Sequence, residues 1–423
     1  MRSSLSATGE LDHGTCDVRL IGCSNCGALQ QARAEAAPIV SCSVCRSLLE
    51  RTTWRSLPAA LACASSVFLL LIPANLLPFL TTSVLGVSRQ SRLISSATAM
   101  WGDGWAFLAV LIGLFVVVLP IVRFGVLTAV LGMLQLGRRP AWLGRGFRLA
   151  NALQQWAMPD VFLLGLWVAY ARLSSTISVQ LGAGALCFIG AGALSLFTRA
   201  SLDKGAIWRR IEPDWSQPLG EATCSCLSCD LVVPAAFEGK ACPRCSAKIS
   251  ARAPDSVARA IAMTLAGVIF YIPANLFVIA TLPIGLTPTR YTVLQGVIDL
   301  AQAKLLGLAL LVFCASFAIP LLKLAGLSYC LASVLRGSTR RLVFKTRVYR
   351  VVEEIGRWSM VDPFVIACFV PVMQYNALIT GRAEPAAPAF ATVVVLTLLA
   401  AKVFDPRLMW DALGRRSAPR RRT

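Results

Sequence analysis

The sequence has few charged residues and almost no histidine. Aspartate, glutamate, lysine and arginine make up 15% of the 423 residues, while apolar residues make up 56%. This composition excludes an ordinary soluble enzyme and is typical of a membrane protein. The single histidine, His13, excludes a Ser-His triad and a histidine-based metal centre. The chain also lacks a GxxxxGKS/T phosphate loop, so we do not expect an enzyme.

The sequence contains several long segments of apolar residues with few or no charges. A helix of about 20 residues crosses a hydrocarbon core of about 30 Å, and several runs reach or approach that length. We predict eight transmembrane helices, over residues 59–80, 104–136, 161–179, 182–198, 260–284, 305–335, 363–380 and 389–403. The first fifty-odd residues are polar and carry cysteines, so we expect no signal peptide.

Lysine and arginine are distributed unevenly between the predicted loops. Residues 137–158 hold four arginines and residues 336–359 hold seven basic residues, whereas the loops on the opposite side hold few. The positive-inside rule therefore places both termini and the central linker in the cytoplasm. The net charge of +20 reflects this topology, and contact with anionic lipid headgroups is favoured over nucleic-acid binding.

The chain repeats itself at an offset of 200 to 202 residues. Pro120 matches Pro320 at 200, and Trp156 matches Trp358 at 202. Each repeat contains a cysteine module followed by four predicted helices, and an even helix number returns the chain to its starting side. The repeats are therefore parallel, related by an axis along the membrane normal.

These features predict an all-α polytopic membrane protein built as a tandem repeat. Each repeat has a small cytoplasmic zinc ribbon, a four-helix transmembrane unit and short β-like loops in the periplasm. The expected divisions are a disordered tail (1–18), ribbon 1 (19–56), transmembrane unit 1 (57–211), ribbon 2 (220–251), transmembrane unit 2 (255–411) and a basic tail (412–423). Residues 81–103 and 283–303 are long enough for small folded pieces, including a short hairpin in each.

Eight cysteines form two sets of paired CxxC motifs. Each pair supplies two sulfur ligands from one tight turn, and four thiolates suit tetrahedral zinc in a structural site. Disulfides are disfavoured by a reducing cytoplasm, and a redox relay is the sharper alternative. The proposed ligands are Cys23, Cys26, Cys42 and Cys45 in the first set, and Cys226, Cys229, Cys242 and Cys245 in the second.

Charged residues occupy matching positions in the apolar regions of both repeats. Arg123 and Lys323 lie within long helices, and Asp160 and Asp362 begin the next helix of each unit. A charge in hydrocarbon is costly unless it is paired or lines a water-filled cavity. In the first unit we favour a structural ion pair of Arg123 with Asp160 over a functional one.

In the second unit we favour a functional role. Hydroxyl groups there occur at comparable positions on three helices and extend the charged pair into a polar track through the apolar bundle. The predicted track consists of Ser316, Lys323, Ser359, Asp362 and Thr397.

The sequence IPAN occurs twice, at residues 72–75 and 272–275. Proline removes a backbone donor, and asparagine two residues later can bond a freed carbonyl or a neighbouring helix. The pairs Pro73 with Asn75 and Pro273 with Asn275 therefore predict a kink with its own polar patch. A joint that shapes a lipid-facing cleft and a packed bend required by the bundle are both consistent with this pattern.

Together these motifs resemble the paraquat-inducible protein A family of bacterial inner membranes. The resemblance rests on the tandem CxxC sets, the doubled PAN, RWSMVDPF at 357–364 and FDPRLMWD at 404–411, within residues 19–411. It implies zinc in both ribbons and transmembrane units like those of tetraspanin-type proteins. It also implies a periplasmic partner built of MCE domains and the movement of phospholipid between inner and outer membranes.

The resemblance carries the family's polar track onto the second unit. The first unit has Ala157 where the second has Ser359, which favours the second unit as the active one. The resulting hypothesis is a lipid transport subunit in which Lys323 and Asp362 change pairing or protonation, coupling transport to the proton gradient. The alternatives are a membrane redox protein whose CxxC thiols exchange electrons with quinone or a partner, and a passive scaffold that anchors the tunnel.

Overall fold

The structure is a computed structural model. It describes residues 18–33, 39–51, 56–84, 87–102, 104, 106–173, 178–212, 223–278, 280–284, 287–302, 304, 306–360, 364–365, 374–376, 379–380, 382–384 and 386–417. The predicted tail 1–18 lies almost entirely outside these residues. Of the predicted basic tail, residues 412–417 belong to the last helix and residues 418–423 lie outside the described part.

Helices dominate both repeats and follow one another in the same order. The helices of the first repeat are α1 (Leu57–Leu76), α2 (Ser95–Gly102), α3 (Ala106–Ile112), α4 (Leu119–Gln135), α5 (Leu143–Leu153), α6 (Pro159–Leu173), α7 (Ala183–Ser201) and α8 (Lys204–Ile211). Those of the second repeat are α9 (Ser256–Leu276), α10 (Val293–Gln302), α11 (Leu306–Phe313), α12 (Ile319–Leu335), α13 (Leu342–Ile355), α14 (Ala386–Val403) and α15 (Leu408–Ser417). In the first, α1 packs on α4 and α7; in the second, α9 packs on α12 and α14.

Short antiparallel strands lie at the two ends of the helical bundle. The ribbon side carries β1 (Val18–Gly22), β2 (Leu29–Arg33), β3 (Ile39–Ser41), β4 (Leu48–Arg51), β8 (Thr223–Ser225) and β9 (Val232–Pro234). The hairpin side carries β5 (Leu80–Val84), β6 (Val87–Ser91), β7 (Ser178–Leu181), β10 (Ala280–Ile284), β11 (Thr287–Tyr291), β12 (Gln374–Asn376), β13 (Ile379–Thr380) and β14 (Arg382–Ala383). Hairpin β5–β6 overlaps the predicted segment 81–103, and hairpin β10–β11 begins at Ala280, before the predicted segment 283–303. The second half of each predicted segment is helical, as α2 and α10, and β7 and β14 each add a third strand.

Six helical spans are long and apolar enough to cross a membrane. They are Leu57–Leu76, Ala106–Gln135, Ala183–Ser201, Ser256–Leu276, Leu306–Leu335 and Ala386–Gly414, the last broken at residues 404–407. Helix α6 is apolar but has only 15 residues. The predicted helix over 363–380 falls mainly outside the described residues, and its end was wrong, since residues 374–376 and 379–380 form strands.

Three other predicted spans also end too late. Helices α1, α6 and α9 stop at Leu76, Leu173 and Leu276, whereas the predicted ends are 80, 179 and 284. In each case the residues at the predicted end form a strand of a sheet on the hairpin side. Apolar composition does not separate a helix from a following apolar strand, which explains the error.

The two longest spans contain π-helical segments that the sequence reasoning did not predict. They cover Gly113–Val118 and Cys314–Ala318, directly before Pro120 and Pro320. Proline lacks the amide hydrogen that would bond the carbonyl four residues earlier, so a wider turn is favoured just before it. Arg123 and Lys323 follow one turn later in the same helices.

Each ribbon packs on the opposite repeat. Trp410 of α15 packs against the cysteines of ribbon 1 (residues 18–51). Trp208, its counterpart in α8, shares a hydrophobic core with the cysteines of ribbon 2 (residues 223–250). Helix α5 also meets ribbon 2, because Gly144 lies against the carbonyl oxygen of Arg244. The ribbons therefore tie the two repeats together.

We expect Gly144→Ala to lower the thermal stability of the protein, because the added methyl group would overlap the Arg244 carbonyl oxygen. Overpacking of a filled contact costs about 1–3 kcal/mol. The matched control is Gly132→Ala in α4, where an added Cβ meets nothing within 4 Å. Heat denaturation of both variants in detergent measures the difference, and equal midpoints would contradict the close contact between ribbon 2 and α5.

Candidate functional site

Four tight turns bring the cysteines of each ribbon together. In every turn the residue after the second cysteine adopts a positive φ, and its amide donates to the carbonyl oxygen of the first cysteine. These residues are Gly27, Arg46, Asp230 and Ser246, with N···O distances of 2.8, 2.9, 3.1 and 2.8 Å. Glycine and aspartate adopt this conformation more readily than arginine or serine. The backbone thus presents two sulfur atoms from each turn.

The sulfur atoms of each set are placed as four metal ligands require. Within each ribbon they all lie within 4.8 Å of one another, and all eight cysteines are buried. In ribbon 1 the Cys23–Cys45 and Cys26–Cys42 Sγ···Sγ distances are 3.5 and 3.6 Å. In ribbon 2 both the Cys226–Cys245 and Cys229–Cys242 distances are 3.6 Å. Tetrahedral coordination with Zn–S bonds of about 2.3 Å requires sulfur atoms about 3.8 Å apart, so both sets fit one ion.

Hydrogen bonds between the thiols shift the pKa of the two partners in opposite directions. In ribbon 1 the bond between Cys23 and Cys26 lowers the pKa of the Cys23 thiol and raises the pKa of the Cys26 thiol. In ribbon 2 the pKa of the Cys242 thiol is lowered by its bonds with Cys226, Cys229 and Cys245, whereas the pKa of the Cys229 thiol is raised by its bonds with the same cluster. The metal ligand is the thiolate, so metal binding would displace the remaining thiol protons.

Ser47 contacts the cysteine cluster of ribbon 1 and is a candidate site residue that the sequence reasoning missed. Its buried hydroxyl lies 3.2 Å from the Cys23 sulfur and 3.0 Å from the Cys45 sulfur. Such hydrogen bonds to ligand sulfur stabilise the charged form and orient the ligand. The matching position in ribbon 2 is Ala247, which has no hydroxyl. Comparing the two cysteine modules residue by residue would have shown this difference.

Two residues of the predicted polar track are buried on the long span of the second repeat. Ser316 lies in the π-helical segment, and its hydroxyl donates to the Val312 carbonyl at 2.8 Å. Lys323 in α12 is only 1% exposed. Its Nζ atom has one described acceptor, the Gly356 carbonyl oxygen, at 3.4 Å. An ammonium group has three donors, so two of them have no partner among the described residues.

The next two track residues lie on elements that pack against α12. Ser359 is in the 3₁₀ turn Gly356–Met360, which also contacts the preceding π segment and α14. Its buried hydroxyl has no hydrogen-bond partner among the described residues. Thr397 in α14 is fully buried and donates to the Val394 carbonyl at 3.0 Å. Asp362, the fifth track residue, lies outside the described part of the chain.

The first repeat places its cation similarly but pairs its carboxylate differently. Arg123 is 3% exposed and donates from Nη1 to the Ala157 carbonyl oxygen at 3.1 Å. Asp160 binds Arg199 of α7 at 3.1 Å, and no contact ion pair between Arg123 and Asp160 is seen among the described residues, so the predicted pair stays a prediction. Arg199 also lies 3.8 Å from Glu354 of the other repeat. A basic residue on the following helix is the signal that the sequence offered for this pair.

The IPAN motifs form the last turn of α1 and α9. Asn75 Nδ2 donates to the Leu71 carbonyl at 2.7 Å, and Asn275 Nδ2 donates to the Tyr271 carbonyl at 2.8 Å. Pro73 and Pro273 lie inside the helices, three residues before the end. Each asparagine therefore bonds its own helix one turn back. The predicted kink stays a prediction.

An apolar cavity of about 310 Å³ opens between α12 and α13. Lys323 and Arg347 are its charged lining residues, and the rest of the lining is Leu322, Ala325, Gly326, Phe344, Val348, Val351, Val352 and Ile355. Leu322, Phe344 and Val351 are exposed on the surface of the bundle. The cavity therefore connects an apolar outer face with the buried lysine.

The fold and these sites define a polytopic membrane protein with buried charge and two four-cysteine clusters able to bind metal. The chain belongs to the paraquat-inducible protein A family, which matches residues 57–212 and 257–414.

Curated relatives are similar over nearly their whole length. Intermembrane transport protein PqiA of Escherichia coli (strain K12) is 30% identical over 405 residues, covering 92% of this chain and 95% of the relative. Lipophilic envelope-spanning tunnel protein A of the same strain is 28% identical over 88% of this chain and 86% of the relative. A probable intermembrane transport protein of Haemophilus influenzae is 26% identical over 93% of this chain and 94% of the relative. No solved structure matches the chain at a significant level.

We expect Ser47→Ala to weaken metal binding by ribbon 1 by about tenfold, because loss of an outer-shell partner typically costs 10–100-fold. Alkylation of the thiols at buffered free zinc, with peptides quantified by mass spectrometry, follows the two clusters separately. Ser43→Ala is the matched control, since the Ser43 side chain is exposed in the neighbouring turn. A zinc midpoint for ribbon 1 that matches the control would show that the Ser47 hydroxyl does not stabilise the bound form.

Proposed function

We propose that the chain is an inner-membrane subunit of a lipid transport system. It moves phospholipid between the inner membrane and a periplasmic tunnel protein built of MCE domains. Support comes from the names of the relatives, which describe intermembrane transport and a lipophilic envelope-spanning tunnel. In this proposal the chain crosses the membrane eight times, and the ribbon side with both termini faces the cytoplasm, in accord with the basic loops 137–158 and 336–359.

The observation that best supports the proposal is the burial of Lys323 and the small number of described hydrogen-bond acceptors around its ammonium group. A buried ammonium group whose one acceptor among the described residues lies 3.4 Å away is costly in an apolar bundle and calls for a second partner. Ser359, whose buried hydroxyl has no hydrogen-bond partner in the described part of the chain, lies on the same turn as the Gly356 acceptor. Asp362 follows three residues later and is the proposed carboxylate partner. In the first repeat the carboxylate at the matching position, Asp160, pairs with Arg199 of α7, and the second repeat has Ala401 at that position, which leaves Asp362 to Lys323 in this proposal.

The cavity between α12 and α13 suits an apolar chain. Its lining is apolar except for Lys323 and Arg347, and part of it faces the outside of the bundle. Acyl chains favour such a surface through the hydrophobic effect, and a basic residue at the rim favours an anionic headgroup. We propose that lipid reaches the transport path through this cleft. Lys323 and Asp362 then change pairing or protonation as the cleft opens, which couples transport to the proton gradient.

Zinc is the proposed occupant of both ribbons. Four buried thiolates at tetrahedral spacing suit this ion, and a closed set of four ligands leaves no open position for catalysis. The ribbons therefore brace the bundle rather than take part in transport chemistry.

We expect Lys323→Met to slow phospholipid transfer to the outer membrane by about tenfold or more, since each ~1.4 kcal/mol lost at the limiting step corresponds to that factor. Transfer is measured by following pulse-labelled phospholipid into isolated outer membranes. Lys248→Met, which changes an exposed lysine in ribbon 2, is the control. Unchanged helix content and metal content would show that both variants are folded. Transfer at the wild-type rate by folded Lys323→Met and Asp362→Asn variants would exclude the coupling role and favour a passive scaffold.

Purification from native membranes in mild detergent tests the partner. We expect mass spectrometry to find an MCE-domain protein and phospholipid bound to the chain, because both take part in the proposed transfer. Membranes from cells lacking the chain provide the background sample. Enrichment of quinone or a thiol partner, without lipid or an MCE protein, would instead favour the redox alternative.

A further inference from the structure

Arg407 lies at the junction of both ribbons and the second repeat. It belongs to the segment 404–411, which precedes and begins α15, and its side chain is only 3% exposed. From Nε it donates to the Ser24 carbonyl of ribbon 1 at 3.1 Å. From Nη1 it donates to the Ser225 hydroxyl of ribbon 2 at 3.1 Å, and Nη2 lies 3.9 Å from the Asp230 carboxylate. One guanidinium group therefore contacts both ribbons.

Every described partner of this guanidinium adjoins a metal-ligand cysteine. Ser24 follows Cys23, Ser225 precedes Cys226, and Asp230 follows Cys229. The ribbons also touch each other directly, since a Cβ placed at Gly22 would lie 3.1 Å from the Ser225 Cβ. A shift of the Cys23–Cys26 turn or of the Cys226–Cys229 turn therefore changes the position of the Arg407 side chain. Its contacts with the turn in the other ribbon then change as well.

The segment around Arg407 is itself firmly anchored. The Arg407 amide donates to Asp405 Oδ1 at 3.0 Å, and Asp405 Oδ2 accepts from the Ala253 amide at 3.2 Å. Four residues further on, Asp411 binds Arg252 through two bonds of 2.6 and 2.9 Å. These bonds fix the main chain on both sides of the Arg407 side chain, so the guanidinium reaches both ribbons from one anchored position.

The first repeat has no equivalent of this arginine. Position 205, which matches Arg407 at the offset of 202, is a glycine. The duplicated halves therefore share one arginine at the ribbon junction, contributed by the second repeat. If each ribbon needed its own arginine for stability, both repeats would carry one at this position. The presence of an arginine in the second repeat alone indicates that Arg407 serves both ribbons.

We propose that Arg407 is a positioning residue that couples the two ribbons, so that their thiolate clusters open and close together. Loss of the contacts made by one ribbon releases the guanidinium and exposes the cysteines of the other. This coupling is independent of what the chain transports. With this coupling, the two ribbons act as one structural unit that joins the two repeats.

The test substitutes residues in ribbon 2 and measures the labelling rate of the cysteines in ribbon 1. The double variant Ser225→Ala/Asp230→Asn removes the ribbon 2 contacts of Arg407 while leaving all eight cysteines, and asparagine tolerates the positive φ at position 230. The full chain in detergent is treated with a chelator and N-ethylmaleimide, and labelling of each cysteine peptide is followed by mass spectrometry. We expect Cys23, Cys26, Cys42 and Cys45 to be labelled about tenfold faster than in the wild type. This readout reports thiol exposure whether or not metal is present at the start.

Two controls and one further variant complete the experiment. Glu238→Gln changes an exposed residue of ribbon 2 that bonds the Ala251 amide, and Arg259→Met breaks an exposed ion pair in α9. Neither change should alter labelling of ribbon 1. Arg407→Met should speed N-ethylmaleimide labelling of the cysteines in both ribbons. Adding Ser225→Ala/Asp230→Asn to Arg407→Met should then increase the labelling rate of ribbon 1 little further. Wild-type labelling of ribbon 1 in the double variant, or additive effects with Arg407→Met, would overturn the proposal.

Discussion

A charge buried among apolar helices must find a polar partner, and much of this structure follows from that constraint. Both repeats place a basic side chain one turn after a π-helical segment, and both direct it at a backbone carbonyl in the turn before the next helix. The carbonyl is available because that turn lies outside regular α-helix, where not every oxygen has an amide partner. In the first repeat, Arg123 of α4 thus holds the turn that follows α5. In the second repeat, Lys323 of α12 holds the turn that follows α13.

The same scaffold carries different chemistry in its two halves. In the first repeat Asp160 has Arg199 as an ion-pair partner, and Ala157 supplies only its backbone to Arg123. In the second repeat Ser359 replaces Ala157 and its hydroxyl has no partner among the described residues. The counterpart of Arg199 at the offset of 202 is Ala401, so the second repeat cannot form that pair. Both copies direct a buried cation at a backbone carbonyl, and they differ in the residue beside that carbonyl and in the residue at the position of Arg199.

Sequence reasoning identified the features that depend on spacing. The CxxC pairs predict the cysteine clusters because ligand geometry within a tight turn is local, and alternation with turn residues predicts the hairpins. Helix ends were missed because β5 and β10 continue the apolar character of α1 and α9. The partner of Asp160 and the position of Ser47 depend on contacts between segments that no periodicity encodes. Their signals become visible only when equivalent positions of the two repeats are compared.

Crossed packing of the ribbons follows from the arrangement of the repeats. The two ribbons lie side by side, since Gly22 of ribbon 1 approaches Ser225 of ribbon 2 and Arg407 contacts both. Ribbon 1 packs its cysteines against Trp410 of the second repeat, and ribbon 2 meets helix α5 of the first repeat at Gly144. A ribbon packed only on its own repeat would leave the halves joined by buried apolar contacts and a few ion pairs such as Arg199 with Glu354. Crossing adds two cysteine-bearing modules to that interface, so the ribbons can hold the two helical units in one orientation.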